Sequence, residues 1–498
     1  MLPTHSTFTP GVTYAIVFST LGAFLVAVAA FVRFTKRFTF SNRDDYFAAR
    51  SSQSATSVMM NFFASGIGGW TFYAVPEVAT YAGSLGLAGY ALSVIVPLVI
   101  LDFVTPYMRK NLPTGVTLQD FVLARYGFEM SIALATVTLF MMFISLVAEL
   151  TAVGGAVQLI TGADTLPTVL GVSLVTAIYS AIGGLPVSLM TDNVQGLAIL
   201  TLVVILCISI YVYTPVSSAQ IIASGSADVT GGGAICFVTL IIAVTSASMF
   251  SAGNWQRVWS AGSNRNQTIG IFGANIRVCV CVCVMGVLGF IAVTKYGDEL
   301  YVPEYMAFAA AFFLINELPF GLRVLFVILM VSMVASTADT IQTGFSALFS
   351  THPRVTVRWA QTITVIINIP AIILATKGLS VLSLFILADL LCAGTCVPIA
   401  MGMWTGANPK AALGGMAVGL VTIILVFVIS GAITSDPVTG LSEIYYAYDL
   451  RSPTLLAAFL LGPTTSGLFT FMGSKIFPYE FPGYPSQKAA NVKATLTA

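Results

Sequence analysis

The segment Ala64-Ser65-Gly66-Ile67-Gly68-Gly69-Trp70 interrupts an apolar run that covers residues 55–78. Three glycines within four positions disfavour a helix by about 1 kcal/mol each relative to alanine. We therefore expect the chain to unwind around residues 66–69. A groove for close helix packing is the alternative, but these glycines lack the four-residue spacing that such grooves use. Unwound backbone at membrane depth is tolerated only where it lines a cavity or is buried in protein.

The composition of the 498-residue chain is that of an integral membrane protein, since 57% of its residues are hydrophobic and 8% are charged. About thirteen apolar runs are long enough, at roughly twenty residues each, to cross a bilayer as helices. A net charge of +1 offers no basic surface for nucleic acid, and two histidines leave little for His-based chemistry. We therefore expect neither an enzyme nor a bound cofactor.

A second cluster of small residues, from Ser246 to Trp255, ends a later apolar run. It follows the first cluster by an odd number of runs, which places the two halves of the chain in opposite orientation. Paired interrupted helices in such inverted halves mark the central site of many transporters. We predict one transmembrane domain over residues 1–473, with repeats at about 55–213 and 233–404, and a flexible tail at 474–498.

The distribution of basic residues predicts the orientation. If the N-terminus is outside, most of the 21 Lys and Arg residues fall in loops on the inner side. This is the asymmetry of the positive-inside rule. We therefore expect an outside N-terminus, a cytoplasmic C-terminus and a multi-pass location in the plasma membrane.

A polar stripe lies in the apolar run 322–349. In a helix, Ser336, Asp339, Thr340 and Thr343 fall on one face, and an acid at membrane depth indicates a functional site. The alternative is that the hydroxyls bond to their own backbone and that the acid lies at a helix end. Asp192 is expected at a depth in the membrane similar to that of Asp339, so these two carboxylates could bracket a cation or share a proton. Asp192 could equally cap the start of its helix.

Glu149 lies deep in another apolar run with no Lys or Arg at its depth. Such an acid must be protonated or meet a cation, either the coupling ion or an ammonium of the solute. We expect the solute to bind beside the break, near Trp70 and Glu149. The carbonyls freed at the break and the hydroxyls of the polar stripe are hard neutral oxygens, which suit a small hard cation.

Several motifs together resemble the sodium:solute symporter family, which includes sodium/proline, pantothenate, urea and sugar symporters. The motifs are Ala64–Trp70 with Pro76, Tyr179-Ser180-Ala181-Ile182-Gly183-Gly184-Leu185, Thr191-Asp192-Asn193-Val194-Gln195, Gln256-Arg257, and Ser336-Thr337-Ala338-Asp339-Thr340. The resemblance implies an all-α, leucine-transporter-like fold with a 5+5 inverted repeat.

The resemblance also implies a sodium site. Its ligands would be the main-chain carbonyls of Ala64, Ile67 and Met333 and the hydroxyls of Ser336 and Thr337. Some family members have a second cation position, and the residues that match it in this chain are Asp192, Asp339 and Thr340.

Two departures from the family bear on the solute. Gly66 stands where the sodium/proline members carry an acid, and Glu149 stands where the sugar members carry an amide. An amine-bearing or amide-like solute is therefore favoured over a sugar. The sugar members' gate residues are replaced by the segment from Phe250 to Trp255, so none of them is carried over as a contact. The solute-site candidates are Trp70, Glu149 and Phe250.

The sequence thus predicts a symporter that couples Na⁺ flow to the uptake of a small polar, nitrogenous solute such as proline or urea. An H⁺-coupled symporter of the same fold and a passive channel or facilitator are the alternatives, because unwound helices and hydroxyl stripes also line channels. The paired breaks favour a transporter that works by alternating access.

Overall fold

The computed structural model describes residues 8–35, 42–301, 307–351, 356–434, 437–445 and 449–484. These residues fold almost entirely into helices joined by short turns. The helices are α1 Pro10–Phe34, α2 Arg43–Ala48, α3 Ala55–Gly66, α4 Trp70–Asn111, α5 Leu118–Tyr126, α6 Phe128–Thr161, α7 Thr165–Tyr213, α8 Ser218–Ala223, α9 Gly231–Met249, α10 Ala252–Ser260, α11 Asn264–Tyr296, α12 Ala310–Asn316, α13 Phe320–Leu348, α14 Val357–Ile366, α15 Asn368–Ala375, α16 Val381–Ala400, α17 Pro409–Thr434, α18 Pro437–Tyr445 and α19 Pro453–Ile476.

Helix starts follow ordinary capping chemistry. The hydroxyl of Ser54 accepts a hydrogen bond from the N–H of Ser57 at the start of α3. Thr117 and Asp120 form a capping box at the start of α5. Such side chains satisfy backbone donors that a helix leaves unpaired at its N-terminus. The caps therefore fix where the chain turns from loop into helix.

Eleven helical stretches in the described residues are long and apolar enough to cross a membrane. Two of them, α4 with 42 residues and α7 with 49, would be about 63 and 74 Å long as single rods, more than twice a hydrocarbon core of about 30 Å. Each is interrupted by one glycine with positive φ, Gly83 (φ 61°) and Gly184 (φ 57°), so each supplies two spans. Eleven stretches with two interruptions match the predicted number of about thirteen spans.

Helix α13 is the best buried of these helices, since 78% of the residues in its most apolar stretch lie inside the protein. It packs against α6 and α7, while α4 packs against α9 and α11. Peripheral helices instead expose large apolar side chains, among them Phe103 and Ile433. A helix bundle that exposes apolar side chains is expected of a protein whose surface contacts lipid. The polar stripe is therefore carried by the central helix.

The structure describes part of the C-terminal tail that the sequence predicts at residues 474–498. Helix α19 continues to Ile476, and part of the segment beyond it packs against the bundle. The Tyr484 side chain is buried, with its hydroxyl 3.2 Å from that of Tyr107, and the Arg125 guanidinium lies 4.5 Å from the centre of the Phe481 ring. Aromatic and cation–π contacts of this kind hold a segment in place. The rest of the predicted tail, residues 485–498, lies outside the described residues.

Candidate functional site

The predicted break in the first repeat lies between α3 and α4. Helix α3 ends at Gly66, α4 begins at Trp70, and Ile67 has an extended backbone (φ −106°, ψ 96°). The N–H of Gly69 donates to a side chain of α6 instead of to its own helix. Among the described residues, the carbonyl oxygens of Ala64 and Ile67 accept no hydrogen bond. The break therefore leaves backbone N–H and C=O groups that do not bond within a helix and can bind other partners.

Glu149 joins the break to helix α13. One oxygen of its carboxylate, Oε2, accepts a hydrogen bond from the N–H of Gly69 and another from the hydroxyl of Thr337, each at 2.9 Å. The side chain is only 2% exposed and has no Lys or Arg partner among the described residues. Its environment therefore contains no protein charge that compensates an ionised carboxylate.

The hydroxyls of Ser336 and Thr337 both have a carboxylate as their nearest acceptor. Ser336 Oγ lies 2.7 Å from Asp192 Oδ1. Thr337 Oγ1 lies 2.9 Å from Glu149 Oε2 and farther, at 3.3 Å, from the carbonyl of Met333. A hydroxyl has one proton and two lone pairs, and an ionised acceptor is preferred. Each hydroxyl oxygen therefore keeps lone pairs that can bind a cation.

The second predicted cation position contains an arginine. The Arg257 guanidinium lies 2.5 Å from Asp192 Oδ2 and 2.7 Å from Thr340 Oγ1, and the same side chain donates to the carbonyl of Gly253. Arg257 is 1% exposed and Asp192 is fully buried. A buried carboxylate paired with a guanidinium is already charge-compensated. The structure thus brings Asp192 and Thr340 together around a positive charge of the protein itself.

Asp339 lies on the side of α13 that faces α7. Its carboxylate accepts hydrogen bonds from three α7 hydroxyls, at 2.9 Å from Tyr179, 2.8 Å from Ser188 and 2.9 Å from Thr191. The side chain is fully buried. Three hydroxyl donors satisfy most of the hydrogen-bonding capacity of a carboxylate. Asp339 therefore contributes to the joint between α13 and α7.

The break in the second repeat lies between α9 and α10, at Phe250 and Ser251. The indole N–H of Trp255 donates to the carbonyl of Met249 across it, at 2.7 Å. Phe250 is only 1% exposed and is not among the residues that line the cavity described next. Its side chain lies in the apolar core, and contact between Phe250 and the solute stays a prediction.

A cavity of about 240 Å³ lies between the two breaks. Its wall includes Gly66 and Trp70 from the first break, Ser251 from the second, and the side chains of Glu149 and Thr337. A concave site of this kind, mostly apolar with a few polar groups, is the usual form of a small-molecule site. The structure thus brings Trp70, Glu149, Thr337 and Thr340 to one cavity.

Sequence reasoning missed two features of this region. The sequence analysis names Arg257 only within the Gln256-Arg257 motif, whereas the structure buries it against Asp192. The available signal is its position just after the second cluster of small residues, next to an apolar run. Tyr90, which stacks on Trp70 in the cavity wall, carried no signal at all, because an aromatic residue in an apolar run is ordinary.

Comparison with known proteins identifies transporters as relatives of this chain, although no family model matches it. The chain is 26% identical over 386 residues to the spermidine transporter DUR31 of Candida albicans, which covers 76% of this chain and 73% of that protein. It is 27% identical over 183 residues to a sodium/glucose cotransporter of Vibrio parahaemolyticus, which covers 36% of this chain and 33% of that protein.

Two solved structures share the fold. The substrate-bound, outward-open structure of a Na⁺-coupled sialic acid symporter matches with a TM-score of 0.74 and 17% identity, over 94% of this chain and 99% of that one. The inward-facing structure of Mhp1 matches with a TM-score of 0.54 and 13% identity, over 89% and 94% of the two chains. These matches confirm the predicted all-α, leucine-transporter-like fold of this multi-pass membrane protein.

Proposed function

We propose that the protein is a secondary active symporter that couples Na⁺ flow to the uptake of a small nitrogenous solute by alternating access. The proposed Na⁺ ligands are the carbonyls of Ala64, Ile67 and Met333 and the hydroxyls of Ser336 and Thr337. The observation that carries this proposal is the hydrogen bonding of these oxygens. Two carbonyls of the break accept no hydrogen bond among the described residues, and both hydroxyls direct their protons to carboxylates.

The local charge supports a cation at this site. Asp192 is compensated by Arg257, whereas Glu149 has no basic partner in the part of the chain that the structure describes. A cation bound to the Thr337 hydroxyl would lie next to the Glu149 carboxylate and would offset its charge. Binding would also join the first break to α13, which is the kind of contact that stabilises one state of an alternating-access cycle.

H⁺ coupling is the second candidate, because the buried Glu149 carboxylate could take a proton in place of a nearby Na⁺. The nature of the solute is supported by the relative that transports spermidine, an amine, and by the small volume of the cavity. The proposed occupant of the position between Asp192 and Thr340 is the Arg257 guanidinium rather than a second Na⁺.

Uptake by the purified protein in proteoliposomes tests the proposal. Radiolabelled spermidine, urea and proline are offered under an inward Na⁺ gradient, under an inward pH gradient without Na⁺, and with neither. We expect accumulation above the external concentration only with the Na⁺ gradient, and loss of accumulation when an ionophore dissipates it. Accumulation that follows the pH gradient alone would favour H⁺ coupling. Equilibration that ignores both gradients would identify a passive facilitator and refute the proposal.

A further inference from the structure

Asp389 is a carboxylate of the cavity wall that has no partner in the described part of the chain. It lies on α16 and is 7% exposed. Among the described residues, it accepts no hydrogen bond and forms no ion pair. A carboxylate buried to this extent is normally hydrogen-bonded or paired with a positive charge, because desolvation of the ionised form is costly. Asp389 therefore has unused capacity that points into the cavity.

The first break is already occupied by a carboxylate side chain of the protein. The N–H of Gly69, at the start of α4, donates to the carboxylate of Glu149. In leucine-transporter-like folds, the half-helix N-termini at the break bind anionic groups such as the carboxylate of an amino-acid solute. Here a solute carboxylate would compete with Glu149 for that N–H and would be repelled by its charge. The site is thus unfavourable for solutes that carry a carboxylate.

The remaining wall of the cavity suits an alkyl chain with a positive charge. The rings of Trp70 and Tyr90 stack in parallel, with their centres 5.6 Å apart, and both rings line the cavity. Apolar side chains such as Phe62, Val94 and Leu240 line it as well. The faces of aromatic rings attract ammonium groups, and aliphatic walls bury methylene groups. An aromatic pair, an apolar wall and an unpaired carboxylate together match an alkyl amine.

We propose that Asp389 is the counter-ion for an ammonium group of the transported solute, and that the solute is an alkyl amine without a carboxylate. This assignment rests on the proposed transport function and deepens it by naming the solute class. The alkyl part would lie against Trp70 and Tyr90, and Glu149 would remain bound to Gly69 and Thr337 as it is in the structure.

Equilibrium binding of radiolabelled spermidine to the purified full-length protein in detergent tests the assignment without requiring transport. Asp389→Asn should weaken binding by roughly ten- to hundred-fold, as expected for loss of a hydrogen-bonded charge pair. Asp389→Glu, which keeps the charge, should weaken it less. Glu129→Gln is the matched control, because Glu129 lies exposed at the start of α6 and its variant should bind as the wild type does. Thermal unfolding of each variant verifies that it folds.

Competition against the labelled amine defines the solute class. Unlabelled putrescine should displace spermidine, whereas proline and glucose should not. Unchanged spermidine binding by the Asp389→Asn variant, or displacement by proline as strong as that by putrescine, would overturn the assignment. Spermidine binding that depends on Asp389 without accumulation in proteoliposomes would support this site and refute coupled transport. Na⁺-driven accumulation of urea without any amine binding would refute this site and support coupled transport.

Discussion

Replacing Thr337 by valine tests the proposed Na⁺ site at a single oxygen. Valine keeps the branched shape and nearly the volume of threonine but has no hydroxyl. In the structure, that hydroxyl lies 2.9 Å from the Glu149 carboxylate and is 5% exposed. The substitution therefore removes one proposed Na⁺ ligand and one hydrogen bond to a buried acid, and it leaves the packing of α13 almost unchanged.

The expected magnitude follows from these two losses. A hydrogen bond to a charged group contributes about 1.5–3 kcal/mol, and 1.4 kcal/mol corresponds to about a factor of ten in a binding constant. We therefore expect the Na⁺ concentration for half-maximal uptake to rise by about ten- to hundred-fold in Thr337→Val. Thr337→Ser keeps the hydroxyl and serves as the matched control, with a Na⁺ dependence close to that of the wild type.

The assay is the initial rate of solute uptake into proteoliposomes at a series of Na⁺ concentrations, with ionic strength held constant. The amount of folded protein is measured in parallel by size-exclusion chromatography, because a folding defect would lower the maximal rate and not the Na⁺ dependence. The reasoning would be refuted if the valine variant kept the wild-type Na⁺ dependence. It would also be refuted if the serine and valine variants were equally impaired.

Three further experiments test the residues that support the site. Arg257→Met leaves Asp192 buried without its partner, so the stability should fall by about 3–5 kcal/mol, and adding Asp192→Asn should restore most of the melting temperature in detergent. Gly68→Ala should abolish uptake, because the added Cβ would lie 2.2 Å from a carboxylate oxygen of Glu149 and would displace that side chain. Gly66→Ala is the control and should retain uptake, because a Cβ at that position has no atom closer than 3.8 Å. Gly184→Ala combines a positive φ with a Cβ only 2.5 Å from a backbone oxygen of α2 and should lower stability by about 1 kcal/mol or more, which thermal unfolding would detect.

The fold could be predicted from the sequence because its determinants are local. Span number follows from the lengths of apolar runs, and the first break follows from Gly66, Gly68 and Gly69, which cannot sustain a helix. The chain turns between spans at Gly83 and Gly184, where one residue with positive φ is enough to end a helix. None of these features depends on which distant side chain lies opposite.

The side-chain partners of the site could not be predicted in the same way. The sequence indicated that Asp192 and Asp339 lie at a similar depth, but it did not reveal that one pairs with Arg257 and the other with three hydroxyls of α7. The positive-inside rule assumes that every arginine near the end of a span lies in a solvated loop. Arg257 is buried because α10, which follows the second break, lies almost entirely inside the protein, and that placement is a property of the tertiary structure.

Glu149 and Asp389 show why this difference matters for function. In the sequence, both are single acids in apolar runs without a basic neighbour. In the structure, Glu149 is held by the N–H of Gly69 and the hydroxyl of Thr337, so its charge acts on the break and on the proposed Na⁺ ligand. Asp389 faces the same cavity with no partner among the described residues. In the proposed mechanism, Glu149 acts on the coupling ion and Asp389 binds the solute. A cation at either position would offset part of the repulsion between these two buried carboxylates, which is how the two sites would be coupled.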